Sequence, residues 1–154
     1  MNVISDQKGN YILVLKINKN VLVALPRFGK IELSAGIYFY CGSAHGNGGI
    51  RSRVKRHLKN NATKVWHIDH IKSYMQVSEI WFQIDATNRE CQFSQFLVNQ
   101  NFSQIPIIGF GSSDCKSRCG SHLIMFPKST DLDVLYQEFR KMFNELHRSI
   151  PRAS

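Results

Sequence analysis

The segment from Tyr40 to Leu58 joins a glycine-rich turn to a strongly basic stretch, and its residue types suit phosphate binding. Residues 42 to 49 include four glycines, and we expect a helix to begin at Ile50. Backbone N–H groups at a helix start, together with the helix dipole, favour an anion. The turn lacks the Gly-Lys-Ser/Thr ending of a P-loop and a complete G-x-G-x-x-G pattern, which argues against a nucleotide cofactor. We therefore expect this segment to hold nucleic-acid phosphate.

The charge distribution points to the same kind of partner. The chain has 154 residues, a formal net charge of +9 and a pI near 9.6. No acidic residue lies between Glu32 and Asp69, whereas six lysines and arginines do. A run of charge is often only a solvated face, but this one follows the glycine-rich turn. The residues that we expect to contact nucleic acid are Gly42, Ser43, Arg51, Lys55, Arg56 and Lys59.

Arg53 and His57 are the residues of the basic stretch best spaced for chemistry. They stand four apart, so a helix brings them to one face. Ile50, Val54 and Leu58 recur every four residues and form the apolar stripe of that helix, which places Arg53 at the edge of the buried side. An arginine held there can clamp a phosphate with its planar guanidinium. The spacing is equally compatible with a surface arginine in a solvated stripe.

Glu90 offers a hard carboxylate oxygen for Mg²⁺, an ion that uses few protein carboxylates and keeps several waters. A structural role competes with this one. Residues 87 to 90 read Thr-Asn-Arg-Glu, which fits a capping box with Glu90 at its third helical position. From the residues alone, the capping role is favoured.

Three potential ligands for a soft metal, Cys115, Cys119 and His122, fall within eight residues. With a fourth ligand from Cys41, Cys91 or a water they would complete a zinc site. The segment lacks a second cysteine pair, so ordinary reduced cysteines in a loop are the favoured interpretation and zinc is the less favoured one.

The segment from Trp66 to His70 gathers two imidazoles and a carboxylate in five residues. In a helix, His67 and Asp69 would not share a face. A polar network beneath the basic helix and a catalytic role are both open for these two residues.

Length and composition predict one globular domain over residues 1–154. A hydrophobic content of 43% supports a folded core. The polar first ten residues lack the apolar core of a signal peptide, and no segment approaches the length of a membrane span. Four cysteines are too few for a disulfide scaffold, which favours a reduced, cytoplasmic setting without membrane contact.

The pattern of apolar residues predicts the order of elements. Strands are predicted for residues 11–17, 21–25, 37–41, 77–85 and 121–126, with a tight hairpin turn joining the first two. Helices are predicted for residues 50–58, 66–75, 88–99 and 131–147, and a long loop for residues 101–120. This order indicates an α/β (α+β) fold with a small mixed, mainly antiparallel sheet flanked by helices, to which the amphipathic helix at 131–147 is appended.

Six blocks occur together and in order from residue 9 to about residue 126. They are Gly9-Asn10-Tyr11, Tyr40-Cys41-Gly42-Ser43-Ala44, Gly48-Gly49-Ile50 through Arg53 to His57-Leu58, Trp66-His67-Ile68-Asp69, Glu90-Cys91, and Gly109 to Cys115 through Ser121-His122-Leu123. In these blocks the sequence resembles the GIY-YIG nuclease superfamily, and within it the small stand-alone Uri-type proteins. Gly36-Ile37-Tyr38 spells the superfamily's name but nearly overlaps Tyr40-x-Gly42. Tyr11 is therefore preferred to Tyr38 as the first motif tyrosine, with an extra strand inserted before Tyr40.

The resemblance implies metal-assisted hydrolysis of DNA phosphodiester bonds by an endonuclease, including a structure-specific one in repair or recombination. Under it, Tyr11 or Tyr40 helps to deprotonate the attacking water, Arg53 neutralises charge on the phosphate, and Glu90 holds Mg²⁺ or Mn²⁺. Since a tyrosine pKa of about 10 leaves little phenolate, His57 is a second candidate for proton transfer. The asparagine that the superfamily often carries after the glutamate helix has no clear counterpart here.

Three interpretations therefore stand beside one another. The first is an active endonuclease with DNA as its partner, and RNA stays open as a substrate. The second is a catalytically inactive nucleic-acid-binding module on the same scaffold. The third is an interaction domain that zinc stabilises.

Overall fold

The structure, a computed structural model, describes residues 4–59, 64, 66–111 and 119–151. Within them, the strands are β1 (Gly9–Ile17), β2 (Val21–Leu25), β3 (Gly29–Leu33), β4 (Gly36–Ala44), β5 (Gln76–Ile84), β6 (Leu123–Phe126) and β7 (Leu146–Ser149). The helices are α1 (Gly49–Leu58), α2 (Glu90–Val98) and α3 (Leu132–Met142), and two short 3-10 helices cover His67–His70 and Lys72–Tyr74.

Five strands form an antiparallel sheet in the order β6-β4-β1-β5-β7, while β2 and β3 pair separately. The mixed α+β class predicted from the sequence is confirmed.

Strand β1 lies at the centre of the main sheet and is almost completely buried, which explains its nearly unbroken apolar sequence. Successive side chains of a strand point to opposite faces, so β1 contributes to two cores. Tyr11 and Leu13 pack on the face covered by α1, the 3-10 helices and the β2–β3 pair. Ile12 and Val14 pack on the face covered by α2 and α3. The motif residues of β1 therefore face α1.

The predicted hairpin between the first two strands is wrong. Both edges of β1 are occupied, by β4 and by β5, so β2 cannot join it and pairs with β3 instead. Strand β3 was not predicted, because its sequence has only a weak strand pattern: Lys30 and Glu32 are exposed and only Leu33 is fully buried. The β2–β3 pair lies between β1 and β4 in the chain, where an extra strand was expected.

The C-terminal segment also differs from the prediction. Helix α3 ends at Met142, and the following residues form β7 at the edge of the sheet, beside β5. Leu146 continues the helical spacing in the sequence, but Glu145 has a φ of 58°, which turns the chain out of the helix. Phe139 of α3 is fully buried, and its ring lies 5.0 Å from that of Phe93 in α2. The final helix is therefore part of the second core and not an appendage.

The predicted helix over residues 66–75 is two 3-10 turns, because Asp69 accepts a hydrogen bond from the backbone N of Trp66 at 2.9 Å and tightens the chain there. The remaining predicted helices and strands are present with shifted ends: α1 starts at Gly49, α2 at Glu90, and β4 continues to Ala44. No helix within the described ranges is long and apolar enough to cross a membrane.

Candidate active site

Tyr11 of β1 and Tyr40 of β4 face α1 from neighbouring strands. Tyr11 lies directly opposite Gly42, and Tyr40 is two positions away from Gly42 on the same face. A Cβ atom on Gly42 would lie 2.5 Å from the Tyr11 hydroxyl oxygen, so the ring of Tyr11 fits only because residue 42 is glycine. Tyr38 instead donates its hydroxyl hydrogen to the carbonyl of Ser34, at 2.6 Å. The hydroxyl of Tyr38 is thus hydrogen-bonded to a different segment and takes no part in the pair of Tyr11 and Tyr40.

His57 extends from α1 into the space between the two tyrosines. Its Nε2 lies 2.7 Å from the hydroxyl oxygen of Tyr11, and its ring centroid lies 5.9 Å from that of Tyr40. Burial lowers the pKa of His57 to about 3, an effect that the charge of Asp69 only partly opposes. The imidazole is therefore neutral near pH 7. Its Nδ1 atom is buried and has no hydrogen-bond partner among the described residues.

Arg53 lies one helical turn before His57 and is held against an aromatic ring. Its guanidinium carbon is 4.5 Å from the centroid of the Trp66 ring, a cation–π contact. The guanidinium also acts on the hydroxyl of Tyr11, where its charge and hydrogen bonding oppose the rise in pKa that burial causes. The predicted position of Arg53 at the edge of the apolar stripe agrees with its half-buried side chain. Trp66, which the sequence analysis did not single out as a site residue, is the side chain that orients it.

Asp69 holds Trp66 in place directly and through Arg56. It accepts a hydrogen bond from the backbone N of Trp66 and forms an ion pair with Arg56, which contacts the Trp66 ring. Its side chain is fully buried and accepts two hydrogen bonds from Arg56, at 3.1 and 3.0 Å, with Lys72 3.6 Å away. The guanidinium carbon of Arg56 also lies over the Trp66 ring, 3.9 Å from its centroid. The predicted polar network beneath the basic helix therefore exists around Asp69. Arg56 belongs to this network and so has a structural role, while its expected contact with nucleic acid stays a prediction.

His67, the other residue considered for that network, lies elsewhere. Its Nδ1 accepts a hydrogen bond from the backbone N of Gly111 at 2.8 Å, and its ring packs against Phe28 and Phe110. A Cβ atom on Gly111 would lie 3.2 Å from the ring of Tyr40. His67 thus anchors the loop that passes beside Tyr40.

Glu90 is the first residue of α2, and the predicted capping box is wrong. The residue that precedes the helix is Arg89, and Glu90 is not at the third helical position. The reason is a long-range contact: buried Asn10 of β1 donates to the carbonyl of Thr87 and accepts from the backbone N of Arg89, both at 2.9 Å. This bridge sets where α2 begins. In the predicted box the backbone N of Thr87 would donate to the Glu90 carboxylate, but it donates to the Asp85 side chain at 2.8 Å, and the backbone N of Glu90 donates to the Asn88 side chain at 3.0 Å.

The Glu90 carboxylate lies close enough to both site tyrosines for its charge to act on their hydroxyls. Its charge contributes to the raised pKa of Tyr11 and of Tyr40, whereas no salt bridge with Glu90 occurs within the described part of the chain. Burial is the main cause of both raised pKa values, and Arg53 opposes it at both hydroxyls. Both tyrosines are therefore protonated near neutral pH, so each hydroxyl carries a hydrogen that it can donate.

The expected phosphate cradle at the start of α1 is wrong. The backbone N of Ile50 donates to the carbonyl of Gln7 at 3.0 Å, and that of Arg51 to the carbonyl of Ser5 at 2.8 Å. A Cβ atom on Gly49 would lie 2.2 Å from a carbonyl oxygen of the same segment, so glycine permits its close approach. The N-terminal segment, and not an anion, satisfies this helix start.

The other residues expected to contact nucleic acid lie in different settings. Gly42 makes room for Tyr11, and Ser43 accepts a hydrogen bond from the Asn88 side chain at 3.2 Å. Arg51 donates to the carbonyl of Ile4 at 3.0 Å. Lys55 and Lys59 are exposed on α1. These two lysines remain as the exposed cations of the predicted basic track.

A cluster of Cys91, Cys119 and His122 begins at the residue that follows Glu90 in the chain. The sulfur of Cys91 is 2.8 Å from that of Cys119 and 3.4 Å from Nε2 of His122. The spacing of Cys119 and His122 in the sequence predicted that they could share a metal ion, with Cys91 as one of the possible fourth ligands. Cys115, the third member of the predicted set, lies outside the described residues. Buried Cys41 is outside the group of possible metal ligands that the described residues form.

Comparison with known proteins assigns a family to the chain. The chain matches the family described as "Domain of unknown function DUF123" over residues 10–147, which is most of its length. Neither the search of curated proteins nor the search of solved structures found a match. The matched range includes every residue of the candidate site, from Tyr11 to His122.

Proposed function

We propose that this chain, which belongs to the DUF123 family, is a divalent-metal-dependent endonuclease that hydrolyses phosphodiester bonds of DNA. The observation that carries the proposal is the convergence of five side chains from β1, β4, α1 and α2: Tyr11, Tyr40, Arg53, His57 and Glu90. Hydrolysis of a phosphodiester needs a path for the proton of the nucleophile, a cation for the phosphate and a position for a Lewis acid. The resemblance to the GIY-YIG superfamily supports the same reaction.

Tyr11 and His57 supply the proton path. The Tyr11 hydroxyl is protonated and 2.7 Å from Nε2 of the neutral imidazole. When a water oxygen bonds to phosphorus, the proton of the water moves to the Tyr11 oxygen while the Tyr11 proton moves to His57. The bond from phosphorus to the leaving oxygen breaks in the same displacement. Negative charge of the bound phosphate stabilises the imidazolium, which the free protein disfavours.

Arg53 and Tyr40 act on the phosphate. The Arg53 guanidinium carries a permanent charge, and its planar fork matches two phosphate oxygens. Contact with Trp66 restricts its orientation before the substrate binds. Tyr40 adds a neutral hydroxyl donor on the same face of the sheet. Such donors and charges, fixed in advance, stabilise the charge that develops on the phosphate oxygens.

Glu90 would hold Mg²⁺ or Mn²⁺. Residue Glu90 is half-buried, forms no salt bridge among the described residues and acts on the tyrosine hydroxyls through its charge, so this donor fits an ion that takes its other ligands from water and substrate phosphate. When bound, the ion supplies Lewis-acid stabilisation of the leaving oxygen. The helix start that Asn10 fixes keeps the Glu90 carboxylate at this position.

Lys55 and Lys59 extend the positive surface along α1, next to Arg53, which suits a nucleic-acid backbone. DNA is the proposed substrate, with RNA as a competing one in the same assay. We place the reaction in the cytoplasm, as the composition indicated.

The test is cleavage of supercoiled plasmid, branched oligonucleotides, single strands and RNA, with Mg²⁺, with Mn²⁺ and with a chelator. We expect metal-dependent cleavage that Glu90→Gln lowers by at least about 10²-fold. Glu138→Gln, which alters an exposed glutamate of α3, is the matched control and should cleave like the wild type. The proposal fails if the folded wild-type chain cleaves none of these substrates, or if Glu90→Gln cleaves as fast as the wild type.

A binding-only module is the second candidate, and the burial of the site favours it. Only 2% of Tyr11 and 4% of His57 are exposed to solvent. Under this alternative, the chain binds nucleic acid with a strong dependence on salt and without turnover. Binding isotherms measured on the same substrates in chelator separate the two functions.

A further inference from the structure

We propose that Cys91, Cys119 and His122 form a binding site for a thiophilic metal ion of the Zn²⁺ class, and that this ion holds the first turn of α2 against β4. The three donor atoms all lie within 4.8 Å of one another. Nε2 of His122 lies 3.0 Å from the sulfur of Cys119. Two sulfurs and one imidazole nitrogen are a ligand set that zinc prefers to hard cations, and three protein ligands leave one coordination position for another group.

The surroundings of the cluster suit a bound ion. Cys119 and His122 are buried, whereas Cys91 is half-buried. A cavity of about 740 Å³ adjoins both cysteines and is also lined by Arg89 and Gln95. The cavity gives an ion or a small thiol access to the sulfur atoms. A convergent ligand set with an entry path from solvent is what a metal site requires.

The oxidation state of Cys91 controls the site. Cys91 is disulfide-bonded in this structure, and the thiol of Cys119 donates a hydrogen bond to the Cys91 sulfur, so metal binding requires reduction of the Cys91 bond. A dithiol reductant supplies the two electrons and two protons: the disulfide becomes two thiols, and the dithiol closes to its own disulfide. The metal ion then displaces the thiol protons of Cys91 and Cys119 and binds the thiolates. Metal binding is therefore confined to the reduced chain.

The cluster connects the two elements that carry the candidate active site, and this step rests on the proposed function. Cys91 follows Glu90 in the first turn of α2. The carbonyl of His122 accepts a hydrogen bond at 2.9 Å from the backbone N of Cys41, the residue after Tyr40. An ion that joins Cys91 to His122 therefore holds the Glu90 helix against the Tyr40 strand. In this role the three ligands are positioning residues.

The test uses the full-length chain without a histidine tag, purified under a dithiol reductant. We expect about one Zn²⁺ per chain and a Co²⁺ derivative with thiolate charge-transfer bands and tetrahedral visible bands. Cys119→Ser and His122→Ala should bind Co²⁺ at least tenfold more weakly, and oxidation of the wild type should abolish binding. Cys41→Ser, which removes a buried thiol outside the cluster, is the matched control and should bind like the wild type.

The inference fails if the reduced, folded wild-type chain shows no thiolate–Co²⁺ bands at stoichiometric Co²⁺, a result that stands even where a variant does not fold. It also fails if Cys119→Ser binds as tightly as the wild type. Because metal binding is measured without DNA, it does not depend on nuclease activity. If cleavage is present, Cys119→Ser should raise the Mg²⁺ concentration for half-maximal cleavage while leaving DNA affinity in chelator unchanged. An unchanged Mg²⁺ dependence would overturn the positioning role alone.

Discussion

The Tyr11 hydroxyl and Nε2 of His57 lie 2.7 Å apart in a space from which solvent is almost completely excluded. This hydrogen bond joins the central strand of the sheet to the basic helix. Both partners are neutral in the folded chain, because burial raises the pKa of Tyr11 and lowers that of His57. The pair therefore couples the stability of the fold to the protonation of one imidazole.

The first prediction concerns stability at acidic pH. The pKa of His57 is about 3 in the folded chain and near its ordinary value of 6.5 in the unfolded chain, so between these values the unfolded state binds more protons. The contribution of His57 to the free energy of unfolding must then fall as the pH falls below 6.5, by about 2 kcal/mol between pH 7 and pH 5. Urea unfolding at several pH values measures this slope.

The variant His57→Gln keeps a hydrogen-bonding group near Tyr11 but cannot titrate. We expect its free energy of unfolding to change less than that of the wild type between pH 7 and pH 5. Ser52→Ala, an exposed change on the same helix that removes no titratable group, provides the control and should retain the wild-type slope. Equal slopes for the wild type and His57→Gln would show that His57 is not the titrating group.

The second prediction separates charge from shape at Arg53. Lysine keeps the positive charge but lacks the planar fork that stacks on Trp66 and grips two oxygens. Under the proposed function, Arg53→Lys should slow single-turnover cleavage by about 10²-fold, while the affinity for DNA changes little. Lys55→Met, on the exposed side of the same helix, should slow cleavage far less. A wild-type rate for Arg53→Lys would remove Arg53 from the reaction.

The third prediction compares a buried ion pair with an exposed one. Asp69 has a fully buried side chain and binds Arg56 through two hydrogen bonds, so Asp69→Asn should lower the free energy of unfolding by about 3 kcal/mol. Asp6 lies 4.0 Å from Arg51 and is largely exposed, so Asp6→Asn should cost less than about 0.5 kcal/mol. Chemical denaturation measures both. Similar values for the two variants would contradict the structural role of Asp69.

Local patterns in the sequence predicted the elements and faces that local physics controls. The four-residue recurrence of apolar residues in α1 put Arg53 and His57 on one face, because helical periodicity alone determines that relation. The apolar run of β1 likewise predicted a buried strand, since a strand covered on both faces has few polar positions. Both features require only neighbours within the same element.

Long-range contacts determine the features of the site that local sequence patterns did not predict. The carbonyls of Ser5 and Gln7 occupy the start of α1, and Asn10 sets the start of α2, although neither contact leaves a local pattern. The local sequence therefore favours a helix cap at Glu90, which the structure does not have. The proximity of Cys91 to Cys119 also depends on packing between α2 and a distant loop. Which polar groups are already satisfied is a property of the tertiary structure.

The last prediction tests the basic surface and concerns Lys55, Lys59 and Arg56, which looked equivalent in the sequence. Only the two lysines are exposed, whereas Arg56 binds buried Asp69. Under the proposed function, a lysine that contacts phosphate contributes about 1 to the slope of log affinity against log salt concentration. Lys55→Ala with Lys59→Ala should therefore reduce that slope by about 2 and leave the melting temperature unchanged.

Arg56→Ala should behave in the opposite way. Removing this guanidinium takes away both hydrogen bonds to the Asp69 carboxylate and the contact with Trp66, so the melting temperature should fall. For folded Arg56→Ala, the slope of log affinity against log salt concentration should match that of the wild type. Binding titrations at several salt concentrations, paired with thermal melts, measure both quantities. A lower salt slope for Arg56→Ala at an unchanged melting temperature would return Arg56 to the nucleic-acid surface.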